Sequence, residues 1–352
     1  MSFFIQFIIF IIVLFIYIHI TNQYKKSEDM EIYEMDYLDN THLQEVCEIK
    51  QPVLFNFKKN GEILENAFLS LSKYENEEIN MKNVNEAIET GEWFSIPLRS
   101  FHKLIKTDDK SRFFSENNFE FMEETGLSSK CSQFDPYLKP SFNIQKKYDI
   151  IFGSKNAYTP IRFHTYYRYF VYVPKGKIQV KMTPYKSHKY LHIQNDYENY
   201  EFRSPIDVWN CQSQYLDEIN KIQFLEFDVP EGFILYIPPY WFYSLKFSEQ
   251  KDTLMYGFIY NSFANIVANS PKYFLYFLQQ HNIQNKILKK YEVDNETKKK
   301  ENQNSENDII ENTENNDTNR DNEIITNEPT NISKKEADQI ISNMKKTDEF
   351  QL

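Results

Sequence analysis

Between Tyr148 and Tyr260 the chain is cut into short apolar and aromatic runs with Pro and Gly between them. These runs are Tyr169–Val173, Ile178–Met182, Phe224–Val229, Ile234–Ile237, Phe242–Phe247 and Leu254–Tyr260. Many short strands separated by turn signals predict a β-sandwich or barrel. An earlier run, Gln51–Phe57, reads as a first strand. Residues 67–124 mix helical and extended segments, with a helical turn at Phe101–Ile105, and Ile266–Gln280 reads as a closing helix. At 352 residues the chain has room for one large domain with tails.

The ends differ from this middle. Ser2–Ile20 is apolar apart from Gln6 and His19. A run of about 20 apolar residues is long enough to cross a bilayer as a helix. A cleaved signal peptide should have a basic start, a shorter apolar run and small residues at its cleavage site. None of these is present, so residues 1–22 are expected to stay as an anchor, contacting the membrane through residues 3–20. Lys25 and Lys26 follow the run and no Lys or Arg precedes it. Positive charge stays on the cytoplasmic side, so a single-pass protein with its main domain in the cytosol is expected.

Residues 23–48 read as an acidic, irregular linker and 49–283 as the folded domain. Residues 284–352 are dominated by Asn, Glu, Asp, Lys and Thr. Such a stretch buries too little apolar surface to offset its lost chain entropy, so a disordered tail is expected. Within it Ser333 and Glu336 have capping-box spacing, and Ala337, Ile340, Ile341 and Met344 share a helical face. A short helix at 333–346 could serve a protein partner.

Net charge is −11, which disfavours nucleic-acid phosphates, so no nucleic-acid partner is expected. Cys47, Cys131 and Cys211 are widely spaced with no C-x-x-C, which argues against a disulfide scaffold or a zinc site. The sequence also lacks G-x-S-x-G, a P-loop, G-x-G-x-x-G and H-E-x-x-H.

The stretch Asp149–Asn265 carries a more specific pattern. It contains Gly153-Ser154, Thr159-Pro-Ile-Arg-Phe-His164, Gly176-Lys177, Ile237-Pro-Pro-Tyr-Trp241 and Asn261-Ser-Phe-Ala264, in that order. In this the chain resembles the JmjC-type cupin-like domains, over roughly Gln51–Asn282. The resemblance implies a double-stranded β-helix (cupin or jelly-roll) with flanking helices. It also implies a site in which two His and one carboxylate hold Fe(II) on one face, leaving positions for 2-oxoglutarate and oxygen.

Placed residue by residue, the resemblance puts His164 at the first iron ligand. Tyr166 stands where the carboxylate belongs and Tyr243 where the second His belongs. The co-substrate lysine position falls nearest Ile178. Lys177 is one residue off and therefore on the opposite strand face. Thr159 is a candidate 2-oxoglutarate contact. A tyrosine hydroxyl, ionising near pH 10, is a poor ligand for a divalent ion at neutral pH.

Three readings follow, one of them a structural membrane protein whose barrel only mediates assembly. The first is a degenerate dioxygenase-like module without a cofactor, which binds a partner through its pocket rim or C-terminal helix. The alternative is an active hydroxylase of a protein or other macromolecule, using Fe(II) and 2-oxoglutarate. Tyr166, Tyr167, Tyr169, Tyr236, Tyr240 and Tyr243 are expected to fill or line the barrel mouth, and Trp209 and Trp241 to lie in the core or at its rim. His188 and His192, four apart, are read as exposed loop residues. Asp196 and Asp207 could supply carboxylates without any spacing that demands it. His102 and His281 are read as ordinary helix residues.

Overall fold

A computed structural model of the chain describes residues 3–58, 71–89, 91–249 and 253–281. The expected tail and its helix at 333–346 lie outside these residues. Two β-sheets dominate. The larger has nine strands in the order β1-β2-β13-β8-β15-β6-β5-β3-β4. Its members are β1 (Tyr33–Asp36), β2 (Val53–Asn56), β3 (Glu78–Asn83), β4 (Phe94–Pro97), β5 (Phe113–Ser115), β6 (Asn143–Gly153), β8 (Arg168–Lys175), β13 (Phe233–Ile237) and β15 (Leu254–Ser262). The smaller runs β10-β11-β7-β14-β9-β12. It comprises β7 (Arg162–Phe163), β9 (Ile178–Thr183), β10 (Gln194–Asp196), β11 (Glu201–Arg203), β12 (Leu225–Val229) and β14 (Phe242–Phe247).

The two-residue period of a strand builds the layers. In β8 the residues Tyr169, Val171 and Val173 face one core, while Phe170 and Tyr172 face another. In β15, Met255 and Ile259 join the first set, and Tyr256, Phe258 and Tyr260 the second. The first core lies between the sheets, where Ile178, Val180, Met182, Leu245 and Trp241 meet the large sheet. The second lies beneath helices and is rich in rings: Phe134 packs against Tyr172 and Phe258, and Phe57 against Phe55 and Phe134. A third, smaller core covers the outside of the small sheet, where Phe163, Phe202 and Phe242 meet residues of the segment after β9. β15 is buried along its whole length because β8 and β6 flank it and both of its faces are covered.

The turn between β8 and β9 needs Gly176. Its φ is +85°, and an added Cβ would lie 2.7 Å from the Thr253 hydroxyl oxygen.

Most of the expected strands match observed ones within a residue or two. The supposed linker does not stay irregular. It holds β1, which pairs parallel with β2, and the helix α2 (Asn40–Cys47), whose Leu43 and Cys47 are fully buried. Arg168 ties α2 to the sheet, donating to the Gln44 side chain at 2.9 Å and pairing with Glu48. The closing helix is two pieces: Phe263–Ala268 ends at Asn269, and 270–281 is helical again. The expected turn at 101–105 is the middle of a longer helix, Leu98–Thr107.

The N-terminal run forms one helix, α1 (Phe3–Gln23), long and apolar enough to cross a membrane. The apolar stretch of α1 packs on nothing in the domain. Its last turn does: Gln23 is buried, α1 packs against Phe263–Ala268, and the Tyr24 hydroxyl donates to the Ala268 carbonyl.

Candidate functional site

β7 and β14 are paired, with Tyr243 opposite Arg162. Residues two apart on an extended segment point the same way, so Arg162 and His164 both turn into the space between the sheets. The Pro-Pro-Tyr-Trp turn is fastened to the same place, since the Tyr240 N–H donates to the His164 carbonyl at 2.9 Å. As a result His164, Tyr166, Tyr169 and Tyr243 come together. The His164 ring stacks on Tyr166 at 5.2 Å between centroids, and meets Tyr169 edge-on at 5.1 Å and Tyr243 at 5.8 Å. Tyr169 is 6.0 Å from Tyr243.

Both nitrogens of His164 are engaged. The Tyr166 N–H donates to Nδ1 at 3.2 Å, which leaves Nε2 to carry the proton and donate to the Ile237 carbonyl at 3.1 Å. The ring is buried, and burial drives its pKa down to about 3. His164 is therefore a neutral ring with no free lone pair for a metal. Burial also pushes the Tyr166, Tyr169 and Tyr243 hydroxyls above their ordinary value, so all three stay protonated phenols. A neutral, doubly bonded imidazole and two phenols do not make a set of donors suited to Fe(II).

Next to this ring cluster lies a buried network of charges. Arg162 grips both oxygens of Glu116. Lys82 lies 3.2 Å from Glu116 and 2.6 Å from Glu201, and Arg162 is 3.5 Å from Glu201. The Asn117 side-chain amide donates to Glu201 at 2.8 Å. Burial alone would raise the Glu116 carboxyl, but Arg162 and Lys82 overcome it and hold it below the usual carboxylate range. Two cations and two carboxylates cancel, which is how four charges are tolerated out of water. The guanidinium of Arg162 also lies 5.6 Å from the Tyr243 ring centroid.

The remaining candidates have structural employment. Thr159 is buried; its hydroxyl oxygen accepts the Leu245 N–H at 3.0 Å and its carbonyl accepts the Ser244 hydroxyl at 2.5 Å. Lys177 lies on the outside, paired with Asp228 at 2.8 Å, while Ile178 is buried between the sheets. Trp241 is buried and donates to the Lys50 carbonyl at 3.1 Å. Trp209 sits at the rim, donating to the Ser244 hydroxyl, with Lys181 and Lys246 over its ring. Asp207 receives the Tyr158 hydroxyl, and Asp196 pairs with Arg203. His188 and His192 are exposed on the segment after β9, His102 packs beside Phe152, and His281 is exposed. Among the described residues no three His, Cys, Asp or Glu side chains are grouped as a metal site.

The sequence reading missed the network of Lys82, Glu116 and Glu201. These come from three separate segments, and no spacing links them. The one available signal was Arg162, a charge two residues before His164 in an otherwise apolar run and so on the same strand face.

No protein-family model matches the chain, and no curated protein matches it closely enough to count as a relative.

Proposed function

We propose that this chain is a membrane-anchored, JmjC/cupin-like protein whose β domain acts as a binding or scaffolding module without dioxygenase chemistry. The strand order supports the fold part of this reading. From β6 to β9 successive strands alternate between the two sheets, and from β12 to β15 they alternate again. That is the path a double-stranded β-helix takes. The anchor part rests on α1, and the cytosolic orientation on Lys25 and Lys26 just after it.

One observation carries the loss of activity. At the three places where the resemblance puts iron ligands stand His164, Tyr166 and Tyr243, packed ring on ring, with both His164 nitrogens bonded to backbone. The rings occupy the space an iron centre would need, and close packing disfavours leaving it empty.

The test is binding by the full-length protein, purified in detergent without oxygen. Expected is no retained Fe(II) at one per chain and no 2-oxoglutarate binding by calorimetry. Stoichiometric iron together with 2-oxoglutarate binding would overturn the reading and make this an active hydroxylase.

A further inference from the structure

The last turn of α1 is embedded in the domain. Gln23 is buried, the Asn22 amide lies 3.5 Å from the Glu48 carboxylate, and Tyr24 bonds to Ala268. Glu48 is itself held by Arg168 and by the Tyr167 hydroxyl. There is thus no slack between the apolar helix and the domain. A helix of 21 residues is roughly 32 Å long, close to the thickness of a bilayer's hydrocarbon core. If α1 spans the membrane, the end of the domain that grips it is held against the lipid.

That end carries large apolar side chains that are exposed among the described residues. The ladder pairs Ser262 with Asn143, which brings the start of β6 beside the end of β15. Here Phe142 is 92% exposed, Phe263 is 63% exposed, and Ile144 is exposed as well. The helical stretch 270–281 follows, with Phe274 at 60%, Phe277 at 65% and Leu278 also exposed. This stretch starts close to the foot of α1: Lys26 and Lys272 share the Tyr240 ring, at 4.8 and 5.3 Å from its centroid. Lys25 and Lys26 just after α1 and Lys272 at the start of this stretch bring positive charge to the same end. Rings and aliphatic groups together with lysines are the composition that settles at an anionic membrane interface.

We infer that Phe142, Ile144, Phe263 and the helical stretch 274–278 form a second membrane contact, a seat that lies on the lipid surface around the foot of α1. The occupant is the bilayer interface. The continuity of the patch with α1 and the lysines at the same end select lipid. The inference rests on the reading of α1 as an anchor. Its consequence is a fixed orientation: the far end of the sheet, at Gly176–Lys177, points away from the membrane. Thr253, next to Gly176, precedes the nine residues of β15, so that end lies roughly 30 Å from the seat.

The test uses the full chain in vesicles of phosphatidylcholine and phosphatidylserine containing a nitroxide-labelled lipid. Cys47 and Cys131 are buried, and burial pushes both thiols up, so Cys211→Ser leaves no readily labelled cysteine. A fluorophore is then attached in turn at Phe10→Cys, Phe142→Cys, Phe277→Cys and Lys177→Cys. Expected is at least twofold stronger quenching by the lipid at positions 10, 142 and 277 than at 177. The inference is overturned if position 10 is quenched while 142 and 277 are quenched no more than 177. It also falls if 277 ignores the nitroxide lipid but is relieved of self-quenching by unlabelled chain, which would assign the face to a second copy. An unquenched position 10 would remove the anchor itself, and the seat with it.

Discussion

His164 concentrates the chemistry of the site in one side chain. It is neutral because burial opposes its charge and because Nδ1 must stay bare to accept the Tyr166 N–H. In the unfolded chain the same ring titrates at its ordinary 6.5. The unfolded state therefore binds the extra proton between pH 6.5 and about 3, and the His164 contribution to stability, complete above 6.5, is lost as pH falls through that window. Urea unfolding across pH 3.5–7 checks this. The stability difference between wild type and His164→Gln should shrink on acidification by about 1.4 kcal/mol per pH unit. A difference that stays constant with pH would mean the ring is not buried neutral. Arg162 offers a second check at this scale. Arg162→Met leaves Glu116 buried and without its bidentate partner, and should destabilise by about 3–5 kcal/mol. Changing Glu116→Leu in the same chain should recover part of that loss, because removing both charges leaves neither uncompensated.

Elements show how weak local signals become firm once they are packed. α2 is a short helix that would be marginal in isolation. It forms because Leu43 and Cys47 enter the core, Asp39 caps its first turn by accepting the His42 N–H, and Arg168 holds its end. Leu43→Ala should cost about 2–5 kcal/mol, seen as a lower urea midpoint, although residues 23–48 read as a linker from composition. α1 behaves in the opposite way: its apolar length needs nothing from the fold. Removing residues 1–22 should convert the protein from one that resists alkaline carbonate extraction into one that it releases. A truncated chain that still resists would mean that α1 is not what inserts.

For the molecule as a whole, the large sheet, the small sheet and the helical layer give two main cores that share the large sheet. The face between the sheets is where an enzyme of the resembled kind would place a metal and its co-substrate. Here the His164, Tyr166 and Tyr243 rings pack together, beside a neutralised charge network. Outside this space lie the rim around Trp209 and the end that grips α1. A domain seated on a membrane by that end would present the opposite end, with its turns at Gly176 and Gly232, to the aqueous phase.

The strands between 148 and 260 were legible because each buries an alternating or continuous apolar run bounded by Pro or Gly, and that pattern is local. So was α1, since being long and apolar enough to cross a membrane is a matter of length and composition. His164, Tyr166 and Tyr243 were legible as positions through the motif they resemble. Their state was not. Whether His164 has a free nitrogen depends on the backbone of Tyr166 and Ile237, the latter 73 residues away. The charges at Lys82, Glu116 and Glu201 meet Arg162 through strand pairings and loops spread over more than a hundred residues. The expected linker became β1 and α2 because a parallel partner and a buried Arg168 were waiting for it. Periodicity and length act along the chain and can be read from it. Satisfied hydrogen bonds, cancelled charges and shared burial are properties of groups brought together from distant positions, and only the tertiary structure decides those.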